Sequence, residues 1–208
     1  MIEFEKTPQI KDWLGSGAIN FFGLPFAGKD SQARRLAERL DGIVLSSGDI
    51  FRHSVIPQKA KALIDRGELA PTQDFIDIVL PYLKKPEFAG HPLMLSSVGR
   101  WHGEEEGVIG ALEESNHPLK AVVYLALDKA IAIQRLDLEE NAVERGIRED
   151  DSKEKILTRI EEFNTKTKPV VEYYRDRGLL IEVDASLSKE EVERVILEGL
   201  ISRALASQ

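Results

Sequence analysis

Apolar residues gather in five short runs, at 19–22, 43–45, 93–95, 121–125 and 179–183, and between them apolar positions recur at helical spacing. Runs of that length, rich in Val, Ile and Leu, read as strands buried on both faces. Their alternation with helical stretches predicts an α/β domain: a five-stranded parallel sheet with helices on both faces. Helices are expected near 30–40, 48–54, 58–65, 72–84, 104–114, 128–143, 152–176 and 188–205. Asp151 with Glu154 makes a capping-box pattern ahead of the long seventh helix, and Gly178 follows its end. Residues 1–17 precede the first core strand as an appendage, in which Ile10, Trp13 and Leu14 can form an amphipathic turn that packs on the domain.

At 208 residues, with no internal repeat and no linker-like segment, a single domain with a full core is expected. The formal net charge of −8 disfavours a nucleic-acid partner, which calls for a basic face. No stretch approaches the ~20 apolar residues of a membrane span, so a protein of the cytoplasm, acting as a monomer, is expected. The absence of cysteine excludes disulfides, thiol catalysis and thiolate zinc sites. His53, His91, His102 and His117 have no spacing that suggests a metal centre.

The most informative stretch runs from Gly23 to Ser31, between the first apolar run and an amphipathic helix with Ala33, Leu36, Ala37 and Leu40 on one face. Gly23 and Gly28 let the backbone curl round an anion, inward N–H groups and the positive end of the next helix face it, and Lys29 can reach the β and γ phosphate oxygens of a nucleoside triphosphate. A glycine-rich turn can be a mere connection, but the strand-loop-helix context favours phosphate binding. The strict pattern places Ser or Thr directly after the lysine; here Asp30 intervenes and the hydroxyl comes at Ser31.

Further on come Ser46-Ser47-Gly48-Asp49-Ile50-Phe51-Arg52, Gly67-Glu68-Leu69-Ala70-Pro71, Arg148-Glu149-Asp150-Asp151, Arg159, and Thr167-Lys168-Pro169 leading to Tyr173-Tyr174. With these, the chain from about 19 to 196 resembles the adenylate kinase family of nucleoside monophosphate kinases, whose phosphate loop shares the displaced hydroxyl. The resemblance implies a P-loop fold that transfers a phosphoryl group between ATP and a nucleoside monophosphate, with Mg2+ as cofactor. A monophosphate-binding part at about 47–85 and a short lid at about 136–148 would close over the core. It assigns Gly23, Pro25, Ala27, Gly28, Lys29, Asp30, Ser31 and Gln32 to ATP, and Ser47, Arg52, Leu69, Ser97, Arg100 and Glu104 to the monophosphate. Arg148, Asp150 and Asp151 fall to the lid, while Lys29, Arg100, Arg135, Arg148 and Arg159 become the catalytic cations.

Arginine suits that work because its planar fork holds two oxygens and keeps its charge. Plainer roles stand beside these. Arg35, Arg66, Arg175 and Arg194 read as exposed ion-pair partners, and Ser47 and Asp151 are each explained by a helix N-cap. The lid is too short for a zinc-bearing domain, so no zinc is expected.

The chain departs from the family at four places. Phe26 stands where the loop usually has Gly and is expected to take an ordinary negative φ. Asp30 replaces a Gly. Ser96-Ser97-Val98-Gly99-Arg100 stands for the usual Asp-Gly-Phe-Pro-Arg, so Ser96 replaces a carboxylate that anchors magnesium. Ser31, with Asp30 through a water, is then the expected metal anchor. Glu104 replaces a Gln that reads adenine; a carboxylate, which only accepts, would pair better with guanine. AMP as the acceptor therefore comes from the family. A nucleotide-binding regulator without turnover, or a kinase of a small-molecule hydroxyl with Asp49 as base, are the alternative readings.

Overall fold

In a computed structural model that describes residues 7–141 and 153–207, the five runs form five strands. They are β1 Ala18–Gly23, β2 Ile43–Ser46, β3 Leu93–Ser96, β4 Leu119–Ala126 and β5 Leu180–Asp184. The sheet is parallel throughout, in the order β2-β3-β1-β4-β5. All of β1 and β3 is buried while edge strand β5 alternates, because the inner strands are covered on both faces.

The covering helices are α2 Lys29–Leu40, α3 Ser47–Arg52, α4 Gln58–Asp65, α5 Thr72–Leu83, α6 Glu105–Glu114, α7 Lys129–Asn141, α8 Lys153–Glu162, α9 Lys168–Asp176 and α10 Lys189–Ala206, preceded by α1 Thr7–Leu14. One core layer joins α1, α2 and α7 to α10 through residues such as Leu36, Ile156, Val170 and Leu200. A second layer, on the other face, gathers Phe51 of α3, Phe75 and Val79 of α5 and Leu112 of α6. The chain thus leaves β1 toward one face and β3 toward the other, which opens a crevice at the carboxyl ends of these neighbouring strands.

The expected helix at 152–176 is continuous but not uniform: α8 passes into a π-turn, Phe163–Thr167, before α9. Pro169 has no N–H for a carbonyl four residues back, and a wider turn just ahead of it accommodates that loss. Among the described residues no helix is long and apolar enough to cross a membrane. Arg148, Asp150, Asp151 and residues 142–148 of the expected lid lie outside the described residues.

The turn expected at Ile10, Trp13 and Leu14 is α1, whose Ile10 and Leu14 are buried in the same layer as Phe21 and Phe22. Leu14→Ala should therefore cost about 2–4 kcal/mol, as in other well-packed cores, read by denaturant unfolding. A loss below about 0.5 kcal/mol, typical of a surface position, would show that α1 is not part of the core.

Candidate active site

A cavity of about 540 Å³ occupies the crevice. Its walls are the loop after β1, the 96–101 segment after β3, the start of α3, residues 67–70, and one side of α8 and the π-turn.

The loop after β1 is a tight arch in which Ala27 N donates to Leu24 O at 3.2 Å and Gln32 N to Gly28 O at 2.9 Å. Gly23, Pro25, Phe26, Gly28, Lys29, Asp30 and Ser31 all line the cavity, at the N-terminus of α2. Lys29 Nζ spans the arch to Leu24 O at 2.9 Å.

Phe26 does not take the negative φ expected of it: its φ is 63°, in the left-handed region. The loop keeps the backbone shape that a Gly would accept freely, and the L side chain bears a strain of ~1–2 kcal/mol. Arg135 helps to hold it. Its Nη1 donates to Phe26 O at 3.0 Å and its Nη2 to Ala185 O at 2.6 Å. Arg135, expected to face the transferring phosphoryl group, instead stands behind the loop and does not line the cavity.

Two other residues assigned to ATP are also outside the cavity wall. Ala27 is buried, and Gln32, buried too, donates through Nε2 to Lys189 O at 2.9 Å and so ties α2 to α10. Asp30, the intruding carboxylate, meets Ser96: Ser96 Oγ donates to Asp30 Oδ1 at 2.6 Å. The two unusual residues of the sequence are thus in contact at the floor of the cavity.

Across the cavity, Ser47 is the first residue of α3 rather than its N-cap, which is Ser46. Ser47 Oγ donates to Ser97 O at 2.7 Å, so the hydroxyl is spent on the 97–99 turn. Arg52 reaches the wall in an ion pair with Asp49. Asp49 itself does not line the cavity.

Arg100 and Arg159 both do, from the segment after β3 and from α8. Burial first, and then the like charge of Arg159, push the Arg100 guanidinium down to about 10, against the opposing pull of Asp30, Glu104 and Glu162. Two cations thus face one space, each making the positive charge of the other less favourable.

Glu104 is buried, and its Oε2 accepts from Arg100 N at 2.8 Å and Trp101 N at 3.0 Å. It closes the turn that leads into α6. Desolvation raises its pKa, with those two backbone hydrogen bonds opposing.

Glu162 and Trp101 line the cavity without a motif to announce them. Glu162 Oε2 accepts from Leu69 N at 2.9 Å and from Lys166 Nζ at 2.6 Å. Lys166 lies over the Trp101 ring, 4.2 Å from its centroid, and Trp101 Nε1 donates to Ala70 O at 3.0 Å. These contacts bring 69–70, Trp101 and the π-turn together. Gly67 sits against α8 so closely that a Cβ there would lie 2.8 Å from Lys155 O. Arg66 on Glu68, Arg175 on Glu172 and Glu182, and Arg194 on Glu198 are the exposed ion pairs expected, whereas Arg35 is half-buried and pairs with buried Glu193 as well as with Glu190.

A parallel sheet in this order, with a phosphate loop after its central strand and arginines across the crevice, defines a P-loop nucleotide-binding protein. The family model described as "Adenylate kinase" matches residues 21–179. The chain is 36% identical over 185 residues to the adenylate kinase of Parasynechococcus marenigrum (strain WH8102), covering 86% of this chain and 96% of that one. It is 36% identical over 190 residues to that of Chelativorans sp. (strain BNC1), covering 88% and 97%. With that of Caulobacter sp. (strain K31) it shares 32% identity over 176 residues, covering 82% and 91%. The chain belongs to the adenylate kinase family.

The raised pKa of Glu104 has a consequence for stability. A carboxyl whose folded pKa lies above its unfolded value stabilises the fold below the unfolded pKa, and that contribution is lost as pH rises through the folded one. Glu104→Gln keeps an acceptor for the two N–H groups and removes the charge. Its Tm should therefore exceed that of the wild type at pH 7, and the gap should close at pH 4. A gap independent of pH would show that Glu104 is not strained by its charge.

Proposed function

We propose that the protein transfers the γ-phosphoryl group of ATP to a nucleoside monophosphate, AMP foremost, giving two nucleoside diphosphates, and that it does so as a monomer in the cytoplasm without nucleic acid. The observation that carries this reading is the cavity itself: a phosphate loop on one wall faces Arg52, Arg100 and Arg159 on the others. Phosphoryl transfer asks chiefly for in-line positioning and positive charge round a spreading negative one.

In this reading Lys29 and the loop N–H groups hold the donor's β and γ phosphates, and Arg52 and Arg100 hold the acceptor phosphate. Arg159 meets charge as it develops, joined by Arg148 of the lid. An oxygen of the acceptor phosphate attacks the γ-phosphorus as the bond to the leaving ADP oxygen breaks. That oxygen is already anionic, so no general base is needed. Arg135 acts from behind by holding the loop in shape.

Ser31 and, through a water, Asp30 are oxygen donors suited to a magnesium ion that arrives with the nucleotide phosphates. The metal, when bound, neutralises phosphate charge. The Ser96–Asp30 hydrogen bond, which brings the two residues together, supports a carboxylate moved from the strand end to the helix start, there to share in holding the metal that Ser96 would no longer anchor.

Two observations weigh on specificity and on the alternatives. The carboxylate at 104, which alone would favour guanine, is engaged by the Arg100 and Trp101 amides, and the relatives named adenylate kinase support AMP. Asp49, the base a hydroxyl kinase would need, is paired with Arg52 outside the cavity wall.

The test is ADP formation from ATP with AMP, GMP, CMP, UMP and dTMP, with and without magnesium. AMP should give the highest kcat/KM, and Lys29→Met should lower turnover by roughly three orders of magnitude with little change in Tm. No diphosphate from any monophosphate, or near-normal turnover by Lys29→Met, would overturn the reading. The role given to Asp30 is separately exposed. Asp30→Gly should raise the magnesium concentration for half-maximal rate, and adding Ser96→Asp should bring it back; an unchanged requirement in the single variant rejects the relocated anchor.

A further inference from the structure

Asn20 sits in the middle of β1 with no exposed surface, between Ile19 and Phe21. An amide there would cost a few kcal/mol if unpaired, so its partners matter. Both belong to one residue: Asn20 Nδ2 donates to Val98 O at 2.7 Å, and Asn20 Oδ1 accepts from Val98 N at 3.3 Å. One side chain thus clamps both backbone groups of Val98, two residues ahead of Arg100.

That segment needs a clamp. Ser97 and Gly99, on either side of Val98, both have positive φ, at 54° and 74°. A Cβ at Gly99 would lie 2.8 Å from Val108 Cγ2, so the turn is pressed against α6 and glycine is required there for space as well as φ. Where the family commonly has a rigid proline, this chain has its most permissive residue, and local stiffness is lost just before the arginine that must be held still. Ser97 is secured on its own account, its N donating to Phe21 O at 2.9 Å and its O accepting from Ser47 Oγ at 2.7 Å. Val98 and Gly99 have no comparable side-chain brace other than Asn20 among the contacts of the described residues.

We propose that Asn20 is a positioning residue for the acceptor phosphate: by gripping Val98 from the central strand it steadies a turn whose Gly99, at φ 74°, takes a shape closed to proline, and so fixes the direction in which Arg100 enters the cavity. This rests on the reading of Arg100 as a monophosphate ligand. Asn20 touches no substrate. Its effect should fall chiefly on the acceptor side, because Val98 leads into Arg100, whereas the loop assigned to ATP meets this segment through the Ser96–Asp30 hydrogen bond, two residues before Val98.

Asn20→Leu is close in volume and leaves both Val98 groups unpaired; Asn20→Asp keeps an acceptor for Val98 N and can donate to Val98 O only while its buried carboxyl is protonated. The measurements are KM for AMP and for ATP, kcat, and amide hydrogen exchange at Val98 and Gly99. Asn20→Leu should raise KM for AMP at least tenfold with KM for ATP changed less than twofold, and speed exchange at 98–99 more than in the rest of β1. Asn20→Asp should fall between it and the wild type, and it carries the test if Asn20→Leu does not fold. Equal rises in both KM values, or an unchanged KM for AMP, would overturn the inference. A wild type that uses no monophosphate would instead refute the functional reading, and the acceptor role of Asn20 with it.

Discussion

The cavity depends on the register between β1 and β3. These two strands lie side by side, Ala18 against Leu93 through Phe21 against Ser96, and the pairing continues past the strand end where Ser97 N reaches Phe21 O. The phosphate loop leaves one strand and the Arg100 segment the other, so hydrogen bonds of the sheet set the distance between these two walls of the cavity. A slip of one residue would turn every inward side chain to the opposite face and put Lys29 and Arg100 out of register. The core on both faces guards against that slip, since β1 and β3 are wholly buried.

Within that frame two of the non-glycine residues with left-handed backbone line the cavity. Phe26 and Ser97 both have left-handed φ, and neither is glycine. Such strain persists only when neighbours over-determine the conformation. Arg135 supplies that determination for the loop, and Ser47 with the Phe21 carbonyl supplies it for Ser97. A negatively charged protein can hold anions here because the positive charge is local and aimed: N–H groups at the start of α2, Lys29, and arginines set in a partly closed space.

The strands, the helices and the phosphate loop were legible from the chain because each rests on local pattern, apolar runs of strand length or glycines at fixed offsets. The cavity arginines Arg52, Arg100 and Arg159 were legible through motif spacing. What failed required three-dimensional partners. Phe26 was expected at negative φ because intrinsic preference is all that a sequence displays, and the tertiary hold of Arg135, 109 positions away, is invisible to it. Arg135 and Gln32 were assigned to substrate by motif, yet their hydrogen bonds go to backbone carbonyls of distant segments. Asn20 is the one polar residue in a run otherwise suited to a central strand, and its partners, Val98 N and O, lie 78 positions away, where no local pattern displays them.

The far wall is held by contacts that no local pattern displays. Glu162 of α8 accepts from Leu69 N and from Lys166, and Lys166 covers the Trp101 ring, whose Nε1 in turn donates to Ala70 O. One acidic residue therefore links the segment at 69–70 to the π-turn and, through Lys166, to the segment after β3. A π-turn is suited to this place because its wider winding shifts the side chains that follow it relative to those of α8. The wall that carries Arg159 is thus positioned by polar contacts as well as by the apolar core behind it.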